Sequence, residues 1–119
     1  MISVLIPVYN TPPLFLRECL ESCLDQTIQD YEIVVVNNGT NNPATNSVLS
    51  AYNKNKKFKI FDCERQTDKK NLSIALNYGL QHCKYNLVAR MDSDDVMIPD
   101  RLEKQRNFML ETPAVDVLG

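Results

Sequence analysis

The sequence predicts an open, mostly parallel α/β sheet with helices on both faces. Three observations lead there. Short β-rich runs alternate with helical stretches as β-α-β-α-β-α-β-α-β over 119 residues, about one domain's length. One run, Tyr31 to Val36 (YEIVVV), is almost continuously apolar and β-branched, as strands covered on both sides are. Polar clusters follow three of the strands, at the sheet edge where such folds bind ligands: Tyr9-Asn10, Asn37-Asn38-Gly39 and Asp92 to Asp95.

Each element has its own signal. Ser3 to Ile6 is a short apolar run that Pro7 is expected to close. Thr11-Pro12-Pro13 reads as a helix start, with Thr11 as cap and proline in the first turn. Leu16, Cys19, Leu20, Cys23 and Leu24 then recur at helical spacing. Tyr31 to Val36 is the second strand, broken by Asn37-Asn38-Gly39, and a polar helix is expected over Pro43 to Tyr52. Phe58 to Cys63 reads as the third strand. Leu72, Ala75, Leu76, Gly79, Leu80 and Cys83 form the apolar stripe of a third helix. Asn86 to Met91 is the fourth strand, Pro99 opens a fourth helix, and Ala114 to Leu118 reads as a fifth strand.

Composition narrows the function. Thirteen Lys+Arg against fifteen Asp+Glu leave a net charge of -2, which argues against a general nucleic-acid binder. No apolar run reaches the roughly 20 residues that cross a bilayer. The first residues, MISVLIPVYN, have neither the cationic start nor the cleavage site of a secretory signal. Cys19, Cys23, Cys63 and Cys83 include no C-x-x-C pair, and His82 is the single histidine, which argues against structural zinc and a Ser/His/Asp triad. Scattered thiols suit a reducing compartment. G-x-G-x-x-G and Walker A patterns are both missing.

The strand-end clusters carry the chemistry. Asp92 and Asp94, two residues apart, can point the same way and offer oxygen to Mg²⁺ or Mn²⁺. Because Mg²⁺ keeps few protein carboxylates, such a pair suits a metal–phosphate ligand. A solvated acidic turn, with Ser93 or Asp95 capping the next helix, is the other reading. Asp100 beside Pro99 suits a helix N-terminus. Tyr9 can stack on a flat ring or serve as a rim aromatic. Asn38 can hydrogen-bond a base edge, or simply make the turn with Gly39. Lys54, Lys56, Lys57, Lys59, Lys69 and Lys70 read as a solvated face, and His82 as a partner of its helix end or an exposed side chain.

Four segments in series, SVLIPVYN, YEIVVVNNGT, NLSIALNYGL and LVARMDSDDVMIPDRLEKQ, resemble the family-2 glycosyltransferases of the GT-A fold. The resemblance covers almost the whole chain in the family's order, and its strongest part is the D-x-D followed by P-D-R-L. It implies a Rossmann-like sheet of GT-A type. It further implies that residues 1–119 are a single domain, the N-terminal nucleotide-sugar-binding half of a catalytic domain. Pro7, Tyr9, Asn38, Asp92 and Asp94 would bind the nucleotide sugar. Tyr9 would pack on the base and Asn38 would stand where the family bonds it. Asp94 would ligand Mn²⁺ or Mg²⁺, with Asp92 on the ribose or on metal-bound water and Asp95 helping from behind.

The reaction implied is sugar transfer from a nucleotide-diphosphate sugar to a hydroxyl of a saccharide or lipid-linked acceptor. It would invert the anomeric centre, in the synthesis of bacterial surface polysaccharide. The setting implied is cytoplasmic, with membrane association through a segment beyond Gly119. The catalytic base and acceptor half are also expected beyond Gly119, so the chain alone is expected to be inactive, and its open edge to favour homo-oligomers. Asn37-Asn38 stands where the family usually has Asp-Asp or Asp-Asn, which leaves uracil, thymine and guanine all open. Two other classes compete. A receiver-like metal-binding module would need acids after the first strand, where this chain has Pro7-Val8-Tyr9-Asn10. A non-catalytic homologue that binds a nucleotide sugar or a partner would need no intact D-x-D.

Overall fold

A computed structural model describes residues 1–66 and 70–111. Its strands are β1 (Ile2–Val8), β2 (Tyr31–Asn37), β3 (Phe58–Asp62) and β4 (Leu87–Arg90). Its helices are α1 (Pro13–Leu24), α2 (Pro43–Tyr52), α3 (Asn71–His82) and α4 (Arg101–Glu111). The strands lie in the order β3-β2-β1-β4, and all three pairings are parallel. The fifth strand expected at Ala114 to Leu118 lies outside the described residues, as does Lys69.

Alternation along β1 and β2 divides the core. Ile2, Val4, Ile6 and Val8, with Tyr31, Ile33 and Val35, meet Leu16, Cys19, Leu20 and Cys23 of α1, Val48 and Leu49 of α2, and Leu102 of α4. Leu5, Val34 and Val36 face the other way, onto Ala75 of α3. Helices therefore cover both faces, and the YEIVVV run is buried throughout. β2 and β3 are added on one side of β1. The chain then crosses by α3 to place β4 on the other side, so the strand order reverses at β1/β4.

Four sequence expectations need correction. β1 does not close before Pro7 but runs to Val8. Met91 donates its N–H to the Leu5 carbonyl, so Leu5 faces β4, and Pro7, two residues on, faces the same side. The β1–β4 register ends at Leu5↔Arg90, so the N–H that proline lacks has no ladder partner there to lose. Thr11 is not a helix cap: Pro12 holds that position with no side-chain bond, and Thr11 is buried elsewhere. The α3 stripe is narrower than its leucines suggest. Leu72 and Leu80 are 52% and 48% exposed, whereas Ala75 and Gly79 are buried. A Cβ at Gly79 would collide with Leu5 and stand 2.8 Å from Val36 Cγ2, so the small residues set how closely the helix lies. The fourth helix begins at Arg101 rather than Pro99, although Asp100 does pair with Lys104 at 3.0 Å.

Lys54, Lys56 and Lys70 are exposed, as expected of a solvated face, while Lys57 and Lys59 also make specific contacts. Lys59 Nζ reaches Glu32 Oε1 at 2.7 Å, and Glu32, buried in β2, also accepts from Ser3 Oγ (2.6 Å) and the Lys84 N–H (2.6 Å). This polar knot ties β1, β2, β3 and the α3–β4 connection together on the α3 face. Lys57 lies 4.1 Å from the Tyr31 ring centre and donates to the Gln29 carbonyl. His82 ends α3 exposed and stacks on Phe61 at 4.0 Å. None of the described helices is long and apolar enough to cross a membrane.

Candidate functional site: a cleft beyond the carboxyl ends of β1, β2 and β4

A cavity of about 530 Å³ opens over the β1/β4 reversal. Pro7 lines it from the end of β1, Tyr9 and Thr11 from the β1–α1 connection, and Asn38 from just past β2. Arg65 and Asn71 come from the β3–α3 side, and Asp92, Ser93 and Asp94 from the loop after β4. All five residues expected to bind nucleotide sugar therefore share one wall system. Asp95 does not line the cavity; its N–H closes the turn onto the Asp92 carbonyl at 3.2 Å.

The Asn38 side chain is held in one orientation. The residue is 3% exposed. Its backbone N–H donates to Val8 O (2.8 Å), and its Nδ2 donates to the backbone carbonyl of Asn71 (3.2 Å). Reversing the amide would set oxygen against that carbonyl, so the hydrogen bond assigns the orientation. Oδ1 is then buried with no partner among the described residues. A buried acceptor left unmade is costly, and a donor from a bound molecule would relieve it.

Asn37 and Asn10 serve the loops. Asn37 Oδ1 accepts from the Thr40 N–H and its Nδ2 donates to Asn46. Asn10, at φ 50°, accepts the N–H groups of Asn41 and Asn42 and joins the two loops. Gly39, at φ 78°, is the glycine the turn requires, and a Cβ there would stand 2.8 Å from Arg65 Cβ. Within Asn37-Asn38-Gly39, Asn37 and Gly39 shape the bend, and Asn38 lines the cavity.

Tyr9 is 43% exposed, and Arg65 sits over its ring, 3.5 Å from the centre. Arg65 is the one cation among the described residues lining the cavity. Sequence reasoning passed it over because no periodicity marks a loop arginine. Its one signal is its place just past β3, the same strand-end position that marks the three polar clusters.

Asp92 lies 3.4 Å from Arg90, both side chains being about half exposed. Asp94 is exposed and has no ion-pair partner among the described residues. No group of three or more His, Cys, Asp or Glu able to hold a metal occurs among the described residues. Two solvated carboxylates fit a hard divalent cation whose remaining ligands are phosphate oxygens and water. Behind this loop, Cys19 donates to the Asp92 carbonyl at 3.6 Å. The neighbouring Cys23 thiol, burial, and the charges of Asp95 and Asp94 push the Cys19 thiol well up, so it stays a protonated donor rather than a nucleophile.

The sequence model of glycosyl transferase family 2 matches residues 3–119. The chain belongs to this family. An amylovoran biosynthesis glycosyltransferase of Erwinia amylovora is 40% identical over 120 residues, covering 100% of this chain and 44% of that protein. A UDP-Gal:α-D-GlcNAc-diphosphoundecaprenol β-1,3-galactosyltransferase of Escherichia coli is 34% identical over 118 residues, covering 98% of this chain and 42% of that one. The chain thus spans under half the length of these family-2 relatives. Among solved structures, S. aureus TarS 1-349 in complex with UDP superposes with a TM-score of 0.77 at 24% identity, covering 92% of this chain and 32% of that chain. Mannosyltransferase PcManGT from Pyrobaculum calidifontis, in complex with GDP-Man and Mn²⁺, gives 0.65 at 24% identity over 80% of this chain and 28% of its own. These likenesses show the Rossmann-like, GT-A type of fold.

Proposed function

We propose that residues 1–119 are the nucleotide-sugar-binding half of an inverting, metal-dependent family-2 glycosyltransferase that builds bacterial surface polysaccharide. The observation that carries this reading is the cavity itself. It sets a half-exposed aromatic and an unpartnered buried acceptor on one side and a pair of solvated carboxylates on the other. A nucleoside diphosphate has the matching parts in the matching order: a flat base with an N–H donor, then two phosphates.

In this reading Tyr9 packs on the base, Asn38 Oδ1 accepts a base N–H, and Pro7 forms the floor. Arg65 leaves the Tyr9 ring to meet base or phosphate. Asp94, with no cation partner among the described residues, would be the first ligand for Mn²⁺ or Mg²⁺. Asp92, already beside Arg90, takes the ribose or a metal-bound water. The cation, when bound, neutralises charge growing on the diphosphate. An acceptor hydroxyl attacks the sugar C1 as the C1–O bond to the diphosphate breaks, and inversion results from attack opposite the leaving group. The hydroxyl proton goes to a general base that we place beyond Gly119, with the acceptor site and any membrane-associating segment. The acceptor is a saccharide or a lipid-linked one, met at the cytoplasmic side. The 119-residue chain alone binds donor without turnover, and detectable transfer by it would contradict this division.

Calorimetric titration tests the reading. The diphosphates of uridine, thymidine, guanosine and cytidine are each added with and without Mn²⁺, to wild type and to Asp94→Ala. Binding of one nucleotide that Mn²⁺ strengthens, and that Asp94→Ala returns to its metal-free level, is expected. A full-length protein that binds none of them would sink the proposal and leave a non-catalytic homologue.

A further inference from the structure

The aspartate loop is fastened to α1 at regular intervals. Cys19 donates to the Asp92 carbonyl, Ser22 Oγ accepts the Met97 N–H (2.9 Å), and Gln26 donates to the Ile98 carbonyl (2.9 Å) while accepting the Leu102 N–H (3.2 Å). Cys19 and Ser22 lie on α1, and Gln26 follows just past its end. These bonds all hold backbone. Among the described residues, one bond ties the side chain between the two carboxylates. Ser93 Oγ is bonded directly to Thr11 Oγ1, across 82 positions of sequence. Thr11 is itself immobilised, being 7% exposed, with its carbonyl accepting from the fully buried Thr45 hydroxyl at 2.6 Å.

We infer that the Thr11–Ser93 hydroxyl pair is the positioning element for the Asp92/Asp94 pair. This rests on the proposed metal-dependent reading of the same cleft. Two like charges two residues apart repel, and an unpinned loop would relieve that by turning them apart. Fixing Ser93 from its own side chain, against a residue anchored in turn to α2, limits the rotation of the peptides that carry both carboxylates. Asp92 and Asp94 are then presented together before any cation arrives. Loop ordering that would otherwise oppose metal binding is completed on folding. Thr11 also lies two residues from Tyr9, so the pair spans the base side and the phosphate side of one cleft.

Ser93→Ala and Thr11→Val each remove one hydroxyl from the pair, and the test is the factor by which Mn²⁺ tightens nucleotide binding. The probe is whichever of the four nucleoside diphosphates wild type binds best with Mn²⁺. Each variant is expected to lose about tenfold in that factor, in the range seen when partners of metal ligands are removed. The metal-free affinity of each variant is measured beside it, so that the factor is read against that variant's own baseline. The double variant should lose no more than either single one, because one bond is broken in all three. Thr11→Ser, which keeps the hydroxyl, should restore the factor. An element that served only stability would lower the unfolding midpoint and leave the factor unchanged; that result overturns the inference. Should Ser93→Ala fail to fold, Thr11→Val examines the same bond from its other end. Wild type showing no Mn²⁺ effect at all would overturn the metal reading itself, a different result from an effect that the variants leave untouched.

Discussion

Arg65 covers one face of the Tyr9 ring, its guanidinium carbon 3.5 Å from the ring centre. Tyr9 is the aromatic proposed to receive the base, and Arg65 is the one cation among the described residues lining the cleft, so the two groups stack on each other. A bound nucleotide must share or break that contact. Tyr9→Ala should therefore weaken nucleoside diphosphate binding about tenfold, the scale of one base–aromatic stack, while Tyr9→Phe should retain most of it. Arg65→Gln should cost several-fold, more at low salt than at high, since what it removes is a charge. Titrations at two ionic strengths separate the two contributions.

Asn38→Ala deletes the unpartnered acceptor. The expected loss is about 1–2 kcal/mol of nucleotide affinity, or roughly 5- to 30-fold, with Mn²⁺ dependence intact. Asn38→Asp should not be a neutral exchange. Its second carboxylate oxygen would face the Asn71 carbonyl that now accepts from Nδ2. Calorimetry on both variants, alongside thermal unfolding, checks this.

Glu32 makes stability depend on pH. Burial pushes its carboxyl up, but Lys59, Ser3 and the Lys84 N–H together outweigh that and hold it below its ordinary 4.5. A depressed folded value contributes stability that is present above pH 4.5 and lost as pH falls through the folded value. Lys59 is raised above 10.5 by its bond to Glu32, so its share is intact below pH 10.5 and lost as pH rises through the raised value. Urea unfolding from pH 7 down to pH 3 should show the acid loss in wild type, and Glu32→Gln should flatten it. An unchanged acid limb in the variant would remove Glu32 from the account.

Gly79→Ala should destabilise the fold by about 1–3 kcal/mol, because the new methyl meets Leu5 and Val36 and α3 must lift from the sheet. Since Asn71 at the start of α3 holds the Asn38 amide, nucleotide affinity should fall along with the unfolding midpoint. Chemical denaturation and titration of the same sample read both.

How much the residues revealed in advance depends on the range over which each signal acts. The YEIVVV run could be read because burial on both faces leaves a local mark, and the strand-end clusters because fold class says where ligands go. The Asp92-Ser93-Asp94 segment could be placed at a strand end, yet nothing local says that Ser93 between the two carboxylates reaches Thr11. Thr11 was misread because threonine before proline is a good helix cap, and the competing partner lay 82 positions away. Leu72 and Leu80 fitted an apolar stripe, but close approach of α3 selects small residues and turns those leucines outward. Asn38 could be placed at the cleft, while its committed donor and orphaned acceptor depend on the Asn71 backbone.

Pro7 is the residue at which β1 outruns β4. Its nitrogen faces the side where the ladder has ended, and the residue lines the cavity. Any other amino acid there would carry an amide hydrogen, whereas the nitrogen of proline is closed off by its own ring carbons. In the proposed reading a ring-shaped ligand meets proline carbon at that floor and finds its buried polar partner beside it, at Asn38 Oδ1.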